Sequence, residues 1–322
     1  MARIFAYIVH KAGVADDSAA ELVAAAKKID AAQAPTAVVA GWGAELDSVC
    51  ESLRASYGEV WKIANESLAY PNAELVRQAL VNVLPAGCIV LLPHAHFATD
   101  LAPGLSIKMN AAYVPDVLGV DAVEGAVLKL VRQEFGGQIS AHVRCDISSG
   151  AVITIRPGAF KPLEGAPAGG VVVDKSSAVG PLTTGRRYLE TVVAETGDVD
   201  ITKYSVLVSI GRGIQDPDNV SIAQDLADAM GAALSCSRPV VDAKWMEKSR
   251  QVGSSGQTVK PKVYLACGIS GSFQHLAGIK GSPFMVAINK NPKAPIFRVA
   301  DVGIVADILE FLPELTNQIR EK

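Results

Sequence analysis

The first two thirds of the chain alternate short aliphatic runs with segments whose apolar residues recur at helical spacing. The segment "DDSAAELVAAAKKI" (16–29) starts with acidic residues and Ser and ends with Lys, an order that complements the dipole of a helix. Strands that alternate with helices through short polar joints predict a parallel sheet covered by helices. The strands predicted in this series lie at 4–9, 36–41, 59–64 and 87–94.

The pattern changes after about residue 137. Two alternating runs in "GGQISAHVRCDISSGAVITIRPG" (136–158) are joined at "SSG" (148–150), and they predict a β-hairpin. The following "PLEGAPAGG" (162–170) is rich in Pro and Gly, and "ETGDVDITKY" (195–204) is polar and turn-rich. We therefore predict a domain boundary between residues 198 and 199.

A second α/β series begins with the strand-like "YSVLVSIGRG" (204–213) and a helix pattern over 218–231. A final helix is predicted over "GIVADILEFLPELTNQI" (303–319). The predicted fold class is α/β, with parallel-sheet domains at 1–198 and 199–322, the second of them doubly wound. The other elements predicted in the second series are strands at 232–237, 262–270, 284–289 and 295–300, and a helix from about Ser272.

Composition narrows the class of protein. The chain has 322 residues, of which 49% are apolar, enough for two hydrophobic cores. Its net charge is −3, which gives no reason to expect a nucleic acid or an anionic membrane as a partner. The five cysteines form no CxxC pair, so we expect them reduced and buried, as in a cytoplasmic protein. No apolar run approaches the roughly 20 residues of a membrane helix, and the start lacks the features of a signal peptide.

Glycine-rich turns follow two predicted strands of the second domain. "SIGRG" (209–213) and "CGISG" (267–271) each lie between a strand and a helix, and "QVGSSGQ" (251–257) is a third polar stretch. Ligands of open α/β sheets bind outside the carboxyl ends of the strands, where helix N-termini favour phosphate. The structural alternative is that every α/β protein needs glycines at such turns. We expect the three stretches together to surround one polar ligand.

Two charged or titratable residues lie near the same predicted edge. Arg238 follows a strand and precedes Pro239, which biases Arg238 towards an extended backbone. His275 is expected in the first turn of the next helix. For each residue the alternative is a surface charge or a capping histidine.

The sequence predicts no catalytic residues and no metal site. His94 and His96, with Asp100 nearby, are expected on one side of a strand, but the sequence shows no further ligands that would complete a metal site. The chain contains no GxSxG, HExxH or Walker A sequence. A polar ligand site without bond-breaking side chains fits a cofactor that performs the chemistry itself.

The second domain resembles the FAD-binding domain of the electron transfer flavoprotein α subunit (the FixB family). The resemblance covers 204–316 and rests on "GRG", "SRPVVDAKW", "RQVGSSGQTVKPKVYLACGISGSFQHLAGIKGS", "VAINKNPKAPIFRVADVGIVAD" and "LPEL", in the order of the family. The first domain resembles the family in layout only. The resemblance implies a nucleotide-binding fold of the deoxyhypusine-synthase-like type.

The resemblance also implies roles for single residues. Arg212 would lie by the FAD diphosphate, Arg238 beside the isoalloxazine ring, and the Ser255 hydroxyl would bond flavin N5. Ser254 stands where the family often has Gln. His275 and Arg238 would stabilise negative charge on the reduced ring, since hydrogen bonds to a charge are worth about 1.5–3 kcal/mol. The cofactor-binding residues implied by the resemblance are Arg212, Ser237, Arg238, Gln251, Val252, Gly253, Ser254, Ser255, Gly256, Gly268, Ser270, Gly271, Ser272, Phe273, Gln274, His275, Asn289, Asp307 and Ile308.

The function implied by the resemblance is an electron carrier without substrate chemistry of its own. It would pair with a β subunit that holds AMP or a second FAD. It would take electrons from a dehydrogenase, such as an acyl-CoA dehydrogenase of fatty-acid β-oxidation, and pass them to a quinone-linked or other redox acceptor. Simple transfer and electron bifurcation both remain open. The alternatives are a thiamine-diphosphate or deoxyhypusine-synthase-like enzyme and a nucleotide-binding module without a redox role, and a bound flavin's visible spectrum distinguishes them.

Overall fold

The computed structural model describes residues 2–135, 138–163, 169–191, 199–281 and 283–321. The chain divides into two compact units, unit 1 at 1–190 and unit 2 at 191–322. The predicted boundary between residues 198 and 199 falls at the end of 192–198, which lies outside the described residues, and it stays a prediction.

Unit 1 is built on one mixed sheet flanked by helices. Its helices are α1 (Ser18–Ile29), α2 (Glu45–Leu53), α3 (Ala73–Val83) and α4 (His96–Met109). Its strands are β1 (Ile4–Tyr7), β2 (His10–Lys11), β3 (Val14–Ala15), β4 (Thr36–Gly41), β5 (Glu59–Ala64), β6 (Ile89–Pro93), β7 (Ala112–Glu124), β8 (Val127–Glu134), β9 (Ile139–Asp146), β10 (Ala151–Ile155) and β11 (Val171–Asp174). The main sheet has the order β11-β5-β4-β1-β6-β10-β7-β8-β9. The pairs β7–β8 and β8–β9 are antiparallel and the other neighbours are parallel.

The core of unit 1 lies on both faces of this sheet. β1, β4, β6 and β10 are buried along their whole length, as expected for strands covered on two sides. Leu22 of α1 and Val49 of α2 join the core on one face, and Leu80 of α3 and Leu105 of α4 join the core on the other. The sequence pattern therefore predicted the layering of unit 1 correctly.

The predicted hairpin over 136–158 is wrong. β9 pairs with β8 in antiparallel fashion, whereas β10 lies in the sheet between β6 and β7 and is parallel to both. The reason is burial, because β10 ("AVITI") is buried at every position and β9 alternates between more and less exposed residues. The hairpin that the sequence analysis missed is formed by β7 and β8, which are antiparallel and connect through the turn at Gly125, where φ is +60°.

Unit 2 contains a parallel sheet in the order β13-β12-β14-β15-β16. Its strands are β12 (Val206–Ile210), β13 (Ala233–Cys236), β14 (Val263–Cys267), β15 (Phe284–Ile288) and β16 (Val302–Ile304). Its helices are α5 (Val220–Ala229), α6 (Arg238–Asp242), α7 (Phe273–Leu276) and α8 (Ile308–Arg320). This strand order is that of a doubly wound sheet, with a switch point between β12 and β14. The predicted fold class, two α/β domains with parallel-dominated sheets, is confirmed.

Two elements at the end of unit 2 differ from the sequence prediction. Residues 295–300 are not a strand, because Pro295–Arg298 form a 3-10 turn and the edge strand is β16. The last helix starts at Ile308 rather than at Gly303, and the Asp307 side chain accepts a hydrogen bond from Leu309 N at 3.0 Å, which defines its N-terminus. The sequence contains two signals for these boundaries, Pro295 at the start of the turn and Asp307 as the N-cap. The apolar pattern of the two segments instead favoured a strand and a longer helix.

None of the helices in the described ranges has the length and hydrophobicity that crossing a bilayer would require.

Candidate functional site

The glycine turns after β12 and β14 lie against each other at the switch point of the unit 2 sheet. Gly211 N donates to Cys267 O at 2.9 Å, and Gly213 N donates to Gly268 O at 3.1 Å. A Cβ on Gly211 would overlap Gly268 O, and one on Gly213 would lie 2.6 Å from Gly268 Cα. Contact between two backbones therefore explains these glycines, in agreement with the structural alternative. Arg212, between them, is exposed.

The polar stretch 251–257 makes backbone hydrogen bonds to the end of β13 on one side and to α7 on the other. Val252 N donates to Cys236 O at 2.9 Å, and Ser254 N donates to Gln274 O at 2.7 Å. Gly253 has a φ of +143°, a conformation that side chains disfavour. The stretch is thus an ordered loop whose backbone bonds are satisfied by two neighbouring elements, with the Ser254 side chain on the outside.

An open cleft of about 240 Å³ lies where this loop meets α6 and α7. Three connections line it, namely the residues after β13, the loop 251–255 and the start of α7. Most of the cofactor-binding residues implied by the sequence meet here. The lining residues are Ser237, Arg238, Pro239, Asp242, Gln251, Val252, Gly253, Ser254, Ser255, Ser272, Gln274 and His275.

Arg238 forms part of the cleft wall from a helical position. It is the first residue of α6, so the extended conformation predicted from the following proline is wrong. The extended residue is Ser237, because a proline in the first turn removes only an N–H that has no helical partner. Arg238 Nε lies 3.3 Å from Asp242 Oδ2, with both side chains more than half exposed. Asp242, which the sequence analysis missed, has the i,i+4 spacing that signals such a pair.

His275 forms part of the cleft floor and is almost completely buried. Its exposed fraction is 4%, its Nδ1 lies 3.1 Å from Val252 O, and its Nε2 lies 2.9 Å from the Tyr264 hydroxyl. Burial lowers the pKa of His275 to about 4, so the ring is neutral at pH 7. Both ring nitrogens have a partner in the protein, and one of these partners is Tyr264, which the sequence analysis did not identify.

The polar groups of the cleft fit a ligand with hydrogen-bonding edges and negative charge. Ser255 Oγ accepts from Gln251 Nε2 at 2.9 Å, which leaves the Ser255 proton to donate elsewhere. Ser254, Ser272 and Gln274 are exposed on the same lining, and Arg238 adds a cation. This set can bind and orient a flavin, and it contains no nucleophile paired with a base.

The remaining predicted residues lie outside the cleft lining. Asn289 Nδ2 donates to Ile269 O at 3.0 Å, Asp307 caps α8, and Ile308 is buried in the core. The structure gives these side chains roles within the fold, and their cofactor contacts stay predictions. Six further residues lie outside the lining, and their cofactor contacts also stay predictions: Arg212, Gly256, Gly268, Ser270, Gly271 and Phe273.

The histidines of unit 1 do not form the arrangement considered for a metal. His94 follows β6 and His96 begins α4. The expectation that the two side chains share one side of a strand is therefore wrong. His94 Nδ1 lies 2.9 Å from Thr154 Oγ1. Across the ranges that the structure describes, no group of three His, Cys, Asp or Glu side chains could hold a metal ion.

Both units match sequence models of known families. The model described as "Electron transfer flavoprotein domain" matches residues 4–179. The model described as "Electron transfer flavoprotein FAD-binding domain" matches residues 200–280. The second match includes every residue that lines the cleft.

Relatives of similar length support these matches. The electron transfer flavoprotein subunit alpha of Methylophilus methylotrophus is 37% identical over 326 residues, which cover 99% of each chain. That of Mycobacterium leprae is 32% identical over 337 residues, covering 100% of this chain and 99% of the relative. Protein FixB of Clostridium saccharobutylicum is 37% identical over 225 residues, covering 69% of this chain and 67% of FixB.

Solved structures give a much weaker likeness. A structure described as a thiamin diphosphate-dependent enzyme isolated from Mycobacterium smegmatis is 13% identical, with a TM-score of 0.23. The matched region covers 93% of this chain and 54% of the solved chain. A likeness of this size carries no argument for the thiamine-diphosphate alternative.

Proposed function

The chain belongs to the electron transfer flavoprotein α-subunit family, and on that premise we propose that it binds one FAD in the cleft of unit 2 and carries electrons with it. One observation carries the proposal. The FAD-binding domain match at 200–280 contains the whole cleft lining, whose exposed hydroxyls, amide and guanidinium suit a flavin. When bound, FAD supplies reversible acceptance of electrons.

Each part of the cleft has a separate role in this proposal. The Ser255 hydroxyl donates to the flavin ring, and Arg238 places a positive charge beside it. Val252 and the His275 floor exclude water, because both are buried. Arg212, Asn289, Asp307 and Ile308 are proposed to lie along the diphosphate and adenosine by the resemblance alone.

The proposed partner is an electron transfer flavoprotein β subunit that holds AMP or a second FAD. We propose that unit 1 packs on this subunit. The donor is a dehydrogenase, such as an acyl-CoA dehydrogenase, and the acceptor is a quinone-linked or other redox protein. The chain itself acts as a carrier and catalyses no reaction of a substrate.

The test is a flavin count on the chain purified together with its β subunit. We expect a yellow complex, with one flavin per α subunit and either one or two per heterodimer. One flavin per heterodimer indicates a simple carrier, and two indicate bifurcation. A complex that is colourless, and stays so after incubation with excess FAD, would contradict the proposal.

Arg238→Ala is expected to lower the one-electron reduction potential of the bound flavin by about 30 mV. The cation stabilises negative charge on the reduced ring, but the side chain is largely exposed, so the interaction is worth only about 0.5–1 kcal/mol. A reductive titration with dithionite and a reference dye measures the shift.

Two control variants define the role of Arg238. Arg238→Lys keeps the charge and should retain most of the potential. Arg320→Ala removes an equal charge from α8, outside the cleft lining, and should leave the potential unchanged. If Arg238→Ala and Arg320→Ala titrate alike, Arg238 has no part in setting the potential.

A further inference from the structure

Buried polar groups extend from the floor of the cleft into the sheet of unit 2. Tyr264 of β14 has no exposed surface, and its hydroxyl contacts His275 Nε2 at 2.9 Å. Ser209 of β12 and Ser235 of β13, also without exposed surface, face the same hydroxyl. Ser209 Oγ makes no well-oriented hydrogen bond within the described part of the chain. Buried polar atoms at this density are costly in an apolar core unless they bond to one another.

The contacts of His275 allow only one distribution of protons. Val252 O is a carbonyl and can only accept, so Nδ1 of His275 must carry a proton. The buried ring is neutral, and Nε2 therefore has none and must accept from the Tyr264 hydroxyl. Burial raises the pKa of Tyr264, so the phenol keeps the proton that it donates. The tyrosine oxygen can in turn accept from a serine hydroxyl.

This arrangement connects the tyrosine to the loop that lines the cleft. Val252, whose carbonyl oxygen accepts the hydrogen bond from Nδ1, precedes Gly253 and Ser254, and Ser254 N donates to Gln274 O beside His275. The charged groups that face the cleft from α6 are Arg238 and Asp242, and they pair with each other. A rotation of the His275 ring would break its bonds to Val252 and to Tyr264.

We propose that Tyr264 is a positioning residue of the flavin site, whose hydroxyl bonds Nε2 and, together with Val252 O, holds the buried His275 ring in one orientation and one tautomer against the loop 251–257. The part of this inference that concerns flavin rests on the proposed function. The part that concerns the ring does not, because it follows from contacts within unit 2. Tyr264 acts through His275 and the loop rather than by touching the cofactor.

The first measurement is the tautomer of His275 in the full-length chain. The chain has five histidines, so imidazole ¹⁵N spectra are simple, and His275→Gln identifies the signals. At pH 7 without added FAD, we expect a protonated Nδ1 and a bare Nε2 that accepts a hydrogen bond. A protonated Nε2 in the unmodified chain would overturn the proposal, whether or not any variant folds.

The second measurement is the same spectrum of Tyr264→Phe, which keeps the ring and removes the hydroxyl. We expect Nδ1 to stay protonated through its bond to Val252 O, the Nε2 signal to shift because this nitrogen loses the hydrogen bond that it accepts, and the pKa of His275 to rise by about one unit. The matched control is Tyr57→Phe in unit 1, where an equally buried hydroxyl donates to Ala19 O at 2.6 Å. The control should leave the His275 signals unchanged, and unchanged signals in Tyr264→Phe would refute the proposal.

The third measurement adds FAD and separates the two proposals. Tyr264→Phe should weaken FAD binding about tenfold, whereas Tyr57→Phe should not weaken it. If Tyr264→Phe binds FAD as tightly as the control, Tyr264 does not position the flavin site. If the unmodified chain binds no FAD with its β subunit present, the proposed function fails while the result on the His275 tautomer stands.

Discussion

Replacing Gly271 with alanine is expected to destabilise unit 2 by about 3 kcal/mol and to abolish FAD binding at micromolar FAD, since a left-handed conformation and a backbone clash add together. Gly271 has a φ of +85°, which costs alanine about 1–2 kcal/mol. Its Cβ would also lie 2.5 Å from Ile296 N and 2.6 Å from Ile296 Cα. These are backbone atoms, which cannot swing away as a flexible side chain would.

The clash is expected to reach the cleft because Gly271 precedes the residues that line it. Ser272, Gln274 and His275 follow within four positions, and Ile296 N donates to Ser270 O at 3.0 Å across the same contact. Moving the two backbones apart would displace the start of α7 and with it the Ser254–Gln274 bond. Urea unfolding followed by circular dichroism measures the stability, and fluorescence quenching measures FAD binding.

Gly231→Ala is the matched control. Gly231 also has a positive φ, +60°, but a Cβ there would meet nothing within 4 Å. It should therefore cost only the conformational term of about 1 kcal/mol and leave FAD binding intact. Equal losses of stability in the two variants would show that the contact with Ile296 does not matter.

The comparison of Gly271 with Ile296 also shows what the sequence could not reveal. The sequence shows glycines after strand ends, and this pattern favours the interpretation that a ligand approaches the backbone there. In the structure Gly211 and Gly213 approach Gly268, and Gly271 approaches Ile296. These contacts join turns that are distant along the chain, so no local pattern separates them from ligand contacts.

The strands were predictable where burial produces a continuous apolar run, and their pairing was not. β10 and β9 are adjacent in sequence and joined by a turn, which is the local signature of a hairpin. The sheet instead places β10 beside β6, where its five residues are buried by helices on both faces. Covering both faces of a strand requires the whole fold, and a local alternation of residues cannot anticipate it.

The cleft was largely predictable from the family resemblance, but the state of its residues was not. The sequence placed Arg238 and His275 together, as the structure does. It could not show that Arg238 pairs with Asp242, or that Tyr264, eleven positions before His275, occupies the Nε2 of that ring. Both facts change the electrostatics of the site, since the cation is partly neutralised and the histidine uncharged.

The neutral state of His275 leads to the second large effect, a loss of stability in acid. The pKa of this side chain is about 4 in the folded chain, against 6.5 for an ordinary histidine in the unfolded chain. Between these values the unfolded chain binds a proton that the folded chain does not, so stability falls as the pH falls. The stabilisation is complete above about pH 6.5 and is lost by about pH 4, a total of about 3 kcal/mol.

The variant that isolates this effect is His275→Gln. A glutamine amide can donate to Val252 O and accept from Tyr264, as the neutral imidazole does, but it does not titrate.

Burial also lowers the pKa of His94 in unit 1, so the unmodified chain contains a second contribution of the same sign. His94 is present in both proteins, so its contribution cancels when the free energy of unfolding of His275→Gln is subtracted from that of the unmodified chain. We expect the free energy of unfolding to fall by about 3 kcal/mol less for His275→Gln between pH 7 and pH 4. Parallel curves for the two proteins would mean that folding does not depress the pKa of His275.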